Sequence, residues 1–244
     1  MTMPATSFFK RRIVPVLLYL IVFGVTAWAL WSWFAPTAHV RYRLDVTLEV
    51  DGAPVTGSVV QEMTISAFPF DLFPDGGGSG RNVRGQALAL DLPGRGTLFV
   101  AMTRYCTGTT EWGQCEGDYG YLVDQACGIK REQPNFAVYV RRFKRLDGSC
   151  PLTADQLPVM VRFDDENDQS SVHVVRPEHL AAAFGAGVRF INASVTFTGA
   201  PLTTGLRTRL PWLAKDPPPS YSVMIEDADG SQRPFVPQFY FERI

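Results

Sequence analysis

The sequence predicts a mainly β protein: an antiparallel β-sandwich-like extracytoplasmic domain with short helical insertions, plus one N-terminal transmembrane helix. Three observations carry this. Ile13 to Phe34 is an uncharged apolar run of 22 residues directly behind Lys10, Arg11 and Arg12. Val40 to Val50 reads V-R-Y-R-L-D-V-T-L-E-V, a strict alternation over eleven residues. Turn chemistry at Asp51-Gly52, Pro93-Gly94, Asp147-Gly148 and Asp229-Gly230 then recurs between further apolar segments.

At about 1.5 Å of rise per residue the apolar run is long enough to cross a hydrocarbon core roughly 30 Å thick. Three basic side chains precede it and no acidic one does, so residues 1–12 read as a cytoplasmic basic tail. Residues 13–34 then form a signal-anchor, and residues 35–244 a periplasmic domain. Trp28, Trp31 and Trp33 fall where indole rings favour the headgroup boundary. Pro15 lies in the first turn, where a missing N–H matters little. A cleaved signal peptide is the competing reading, because Ala27-Trp28-Ala29 fits the small-x-small pattern. The chain stays bulky through Leu30, Trp31, Trp33 and Phe34, which favours an uncleaved anchor.

Beyond the anchor, Val40, Tyr42, Leu44, Val46, Leu48 and Val50 share one face of a half-buried strand. Val55 to Ile65 runs back as its hairpin partner. Phe68, Phe70 and Phe73 lead into the glycine-rich stretch Asp75 to Gly80, read as a flexible loop. Gln86 to Leu92 and Thr97 to Tyr105 form a second hairpin around Pro93-Gly94-Arg95-Gly96. Phe136 to Phe143 and Val159 to Phe163 read as strands, and Thr153 to Leu157 as one helical turn. Arg176 to Gly185 is a short helix with Pro177 in its first turn and Gly185 as its stop. Val188 to Thr198 alternates again, with Val188, Phe190, Ala193 or Val195, and Phe197 inward. Pro217 to Pro219 is a stiff spacer and marks a possible subdivision near 215–220. Tyr221 to Glu226 and Phe235 to Ile244 close the chain as a hairpin, Pro234 and Pro237 assigning its last arm to an edge.

The chain holds 23 basic and 24 acidic residues. Beyond residue 34 the balance is 20 against 24, a poor surface for nucleic-acid phosphates. Cys106, Cys115, Cys127 and Cys150 all follow the anchor, with gaps of 9, 12 and 23 residues. An even number on the exported side points to two disulfides, with three pairings open. Zinc would want paired spacing such as C-x2-C, which is absent, so no metal and no cofactor is expected.

Asp164 to Asp168 is the densest carboxylate cluster, but Gln169 stands where a calcium loop needs glycine. It reads as a solvated turn. His173 and His179 are six residues apart, not the i, i+4 spacing of a helical metal pair. Ser79 lacks the second glycine of a nucleophile elbow, and Arg81-Asn82 replaces the Lys-Ser/Thr of a phosphate loop. Asn192-Ala193-Ser194 matches a glycosylation acceptor but falls in a strand. Phe68, Phe70, Phe73 and Trp212 form either a docking patch or the edge of the core, the core being the better reading. His173, Asp164 and Ser170 are the separated residues whose convergence would create a catalytic site.

Glu178-His179-Leu180-Ala181-Ala182-Ala183-Phe184-Gly185, Leu202-Thr203-Thr204-Gly205, Leu210-Pro211-Trp212-Leu213 and the opening Tyr42 to Val60 are together similar to uncharacterised single-span envelope proteins of proteobacteria. That resemblance implies a bacterial inner membrane and periplasm, and assigns no activity either way. The expected function is therefore a non-enzymatic binding or assembly component, in contact with the bilayer through residues 13–34 and with an envelope protein partner. The alternative is a periplasmic enzyme or small-ligand carrier with its site in the cysteine-rich loop.

Overall fold

The computed structural model describes residues 6–67, 79–105, 119–130, 136–215, 221–226 and 232–243. In chain order the elements begin with α1 (Thr6–Phe34), β1 (Thr37–Val50), β2 (Ala53–Ala67), β3 (Ser79–Gln86), β4 (Leu88–Leu92) and β5 (Gly96–Arg104). Then come α2 (Leu122–Ala126), α3 (Phe136–Phe143), β6 (Ser149–Leu152), β7 (Pro158–Phe163), β8 (Val172–Val175), α4 (Leu180–Phe184) and β9 (Val188–Phe197). The last are α5 (Leu206–Arg209), β10 (Val223–Glu226), β11 (Gln232–Phe235), α6 (Pro237–Phe241) and β12 (Glu242–Arg243).

The protein is mainly β, with antiparallel sheets and one N-terminal apolar helix. Within α1, Pro15–Trp33 is apolar and long enough to cross a membrane, and none of it is buried against the domain. Two residues, Ala35 and Pro36, separate α1 from β1. A six-stranded sheet runs β12-β3-β2-β1-β9-β6 and a four-stranded sheet β4-β5-β7-β8. β10 and β11 form a separate hairpin.

β1 shows the alternation its sequence predicts: Ala38 and every second residue to Val50 is buried. Asp51 and Gly52 both take positive φ (51° and 85°), the two-residue turn whose twist suits a hairpin. Gly57 on β2 faces β4, where a Cβ would stand 3.1 Å from Leu88 and Leu90 atoms. The absent side chain therefore sets how closely the two sheets approach.

The core has two compartments. The first lies between the inward face of the six-stranded sheet (Tyr42, Leu44, Val59, Ile65) and Leu88, Leu90, Leu98, Val100 and Met160 of the other. α2 and α3 close its remaining area with Leu122, Val123, Tyr139 and Phe143. The second lies on the opposite face of the four-stranded sheet, where Phe99, Val161 and Phe163 meet Leu206, Trp212, Ile225, Phe235 and Phe241. The chain on both sides of Pro217 to Pro219, which itself lies outside the described residues, thus contributes to one core. β5 is covered on both faces, so Leu98 to Met102 reads as a continuous apolar run.

Three expectations need correction. Phe136 to Phe143 is helix, not strand: Tyr139, Val140 and Phe143 are all buried. A strand would send Tyr139 and Val140 to opposite faces, whereas helical spacing puts all three on one. The strand expected over Gln86 to Leu92 begins at Leu88, because Gln86 still belongs to β3 and the chain changes sheet at Ala87. The final arm is not one strand. β11 pairs with β10, Pro237 opens α6, and only Glu242–Arg243 reaches the edge of the larger sheet, beside β3. The turn at α6 lets both Phe235 and Phe241 enter the second core compartment.

β9 contains a bulge opposite Thr47/Leu48, since Thr47 pairs with Asn192 and Leu48 with Phe190. The extra residue shifts the inward phase from Val188 to Ala193 and Val195. Both residues left as alternatives by the sequence therefore face inward.

Candidate functional site

Tertiary structure first assembles a buried polar network that no motif announced. Arg81 and Asp124, each with side chain 7% exposed, form a bidentate pair at 2.7 and 3.0 Å. Arg81 also donates to the Gly120 carbonyl and stacks 4.1 Å from the Tyr121 ring centroid. The Tyr139 hydroxyl donates to the same Asp124 carboxylate. Gln61, inward on β2 and fully buried, accepts from the Tyr119 hydroxyl at 2.6 Å and donates to the Gln86 carbonyl at 2.8 Å. The Gln86 side chain in turn accepts from the Leu206 N–H, linking β3 to α5. Burial pushes the Tyr119 phenol up to about 12 and holds Tyr42 well above its ordinary value, with Tyr119 adding to the latter. These groups tie elements together, and of them Gln86 alone lines a described concavity, a small one with Arg84, Thr203 and Glu242.

A second cluster involves the acidic turn. Arg209 donates to Asp91 and Glu166 and to the Thr97 hydroxyl, and Trp212 Nε1 donates to the Glu166 carbonyl at 3.0 Å. The Arg209 guanidinium beside it holds Asp91 below the usual carboxylate range. The remaining acids stay on the surface: Asp165 accepts from Asn167 N–H and Asp168 from Ser170 N–H, the local geometry of a tight turn. Asp164 and His173 do meet, Nε2 to Oδ2 at 2.7 Å, both about half exposed. Ser170 does not join them. Its hydroxyl donates to Asp168 at 2.7 Å, so among the described residues the histidine–carboxylate pair has no nucleophile bonded to it.

A concavity lies where the domain meets α1. His39, Val40, Arg41, Phe143, Lys144, Leu146, Asp147, Gly148, Phe197, Thr198 and Gly199 line an open cleft of about 380 Å³. Leu146 and Phe197 are its partly exposed apolar lining, Val40 and Phe143 belonging to the buried core behind it, and His39, Arg41, Lys144 and Asp147 supply polar and charged groups. Arg41 is paired with Glu62 at 2.7 Å, and His39 Nδ1 bonds the Thr64 hydroxyl at 3.1 Å. Lys144 forms no ion pair among the described residues. One turn earlier on α3, Arg141 stacks 4.3 Å from the Trp33 ring centroid and donates to the Trp33 carbonyl.

Of the residues expected to matter, Cys127 and Cys150 are joined, with Cα atoms 5.1 Å apart. Cys106 and Cys115 lie outside the described residues, as do Phe68, Phe70 and Phe73. Trp212 is 1% exposed, a member of the second core compartment and not a docking surface. Trp28, Trp31 and Trp33 stand 58–71% exposed on α1. Among the described residues no group of three or more His, Cys, Asp or Glu could hold a metal ion. Arg81, Gln61 and Arg141 were missed as key positions. The basic run after aromatic residues at Arg141 was the one available signal, since Arg81 lies in the polar, glycine-containing segment Ser79–Gln86, where nothing marks a buried ion. No family model matches the chain, and no curated protein or solved structure is significantly similar to it.

Proposed function

We propose that this protein is a non-enzymatic binding or assembly component of a bacterial envelope, anchored in the inner membrane by α1 with its β domain in the periplasm. The junction carries the reading. Two residues join the anchor to β1, Arg141 grips Trp33, and Ala67 N–H bonds the Pro36 carbonyl at 3.0 Å. A domain fixed this closely presents a defined surface at the bilayer, where a flexible stalk would let it range. The basic tail before α1, the disulfide Cys127–Cys150 and the resemblance to single-span envelope proteins support orientation and compartment.

The test is affinity purification of the tagged full chain from its own membranes in mild detergent, with mass spectrometry of what accompanies it. The expected outcome is a stoichiometric envelope protein that remains bound when α1 is replaced by an unrelated span. Recovery of the chain alone, turning over a hydrolase or oxidoreductase substrate and losing that activity in His173→Ala, would overturn the proposal.

A further inference from the structure

We infer that the membrane-proximal cleft and the basic face beside it bind the phosphate headgroup of an anionic phospholipid. The inference rests on the anchored reading above and names a partner for it. Its starting point is the contact of Arg141 with Trp33 at the end of the apolar segment, which fixes the depth of α3. Tryptophan at that position belongs at the headgroup level, so Arg141 lies there too.

Arg141, Lys144 and Arg145 are spaced i, i+3 and i+4, one face of a helix. α3 ends at Phe143, but Arg145 N–H still bonds the Arg142 carbonyl and Leu146 N–H the Phe143 carbonyl, so the helical path continues through the turn. Lys144 and Arg145 therefore follow Arg141 on the side facing α1. Neither forms an ion pair among the described residues. The α3 C-terminus accounts for part of the preference for cations there, but not for two of them beside an open cleft. Lys144 lines that cleft, with Arg41 and His39 across from it.

The opposing charges are Asp147 in the cleft lining and Glu62, which is committed to Arg41. Asp147 is the one carboxylate among the lining residues, so Lys144 and the adjoining Arg145 leave this face net basic in a domain that is acidic as a whole. Leu146 and Phe197, the partly exposed apolar residues of the lining, accept the glycerol and first methylenes of a lipid, while the basic groups bind its phosphate. A free anion would gain nothing from Leu146 and Phe197. Each basic side chain at an anionic surface contributes about fivefold in binding.

The experiment titrates the full chain, purified in mild detergent, with phosphatidylglycerol or phosphatidylcholine and counts bound lipid by native mass spectrometry. Phosphatidylglycerol should be retained at least ~10-fold more tightly than phosphatidylcholine. The Lys144→Glu/Arg145→Glu variant should lose that preference with its circular dichroism unchanged. Lys10→Glu/Arg11→Glu, at the other end of α1, should keep it. Equal retention of the two lipids, loss of preference only in the Lys10/Arg11 variant, or displacement of lipid by millimolar inorganic phosphate would each overturn the inference. If the double variant misfolds, Lys144→Gln alone carries the test, expected to weaken phosphatidylglycerol about fivefold. Extraction of the chain from cell membranes by alkaline carbonate would instead sink the anchored reading, and is scored separately.

Discussion

Arg81 enters the core as an ion and is held there by Asp124, the Gly120 carbonyl and the Tyr121 ring. Removing one member of a buried pair strands the other without solvent, which typically costs about 3–5 kcal/mol. Arg81→Ala should therefore lower stability by about that amount in urea melts of the detergent-solubilised chain. An Arg81→Met/Asp124→Leu double variant should lose less than either single change, because it leaves no charge behind. Tyr42 and Tyr119 make a different prediction. Their phenols are raised by burial, Tyr119 to about 12, while the unfolded chain ionises near 10. Between these values the unfolded state binds fewer protons, so stability falls as pH rises, having been fully present below 10. Urea midpoints measured from pH 9 to 11.5 should decline with a steeper slope than in Tyr119→Phe. A flat midpoint across that window would show that the phenol is not held neutral by the fold.

Among elements, β6 and α2 depend most on a covalent link. β6 is four residues long and forms one edge of the larger sheet, while α2 has five residues and no side-chain cap. Helices this short are not stable alone. The Cys127–Cys150 bridge closes a separation of 23 residues and connects the end of α2 to β6. Loop-closure entropy for that length is about 3 kcal/mol. Cys127→Ser/Cys150→Ser should lower the thermal midpoint accordingly, and reduction of the wild type should approach the same value. An unchanged midpoint in both would mean that α2 and β6 are held by packing alone. α3 illustrates the opposite case, in which tertiary contact overrides local pattern. Its sequence F-A-V-Y-V-R-R-F is rich in β-favouring residues, yet burial of Tyr139, Val140 and Phe143 on one side makes it helical.

At the scale of the molecule, the four-stranded sheet forms a middle layer between the larger sheet and a C-terminal cover of α5, the β10–β11 hairpin and α6. α1 stands outside these layers, in contact with α3 through Trp33 and Arg141. The long apolar helix α1, the alternation of β1, the Asp51-Gly52 hairpin and the Gly185 stop of α4 were legible in the sequence. Each depends on residues close together in the chain, whose periodicity or turn chemistry has one inexpensive solution. The cover was not legible, because Trp212 and Phe235 look the same on paper whether they face solvent or a core. Nor was the site: Arg81 and Asp124 lie 43 residues apart, and Arg141 and Trp33 lie 108 apart. The sequence by itself determined where the chain is apolar enough for a membrane and where its strands alternate, since both are properties of a short window. Only the tertiary structure decided which charges are buried in pairs and which are left on the surface beside α1. Pairing depends on three-dimensional distance, which spacing along the chain does not encode.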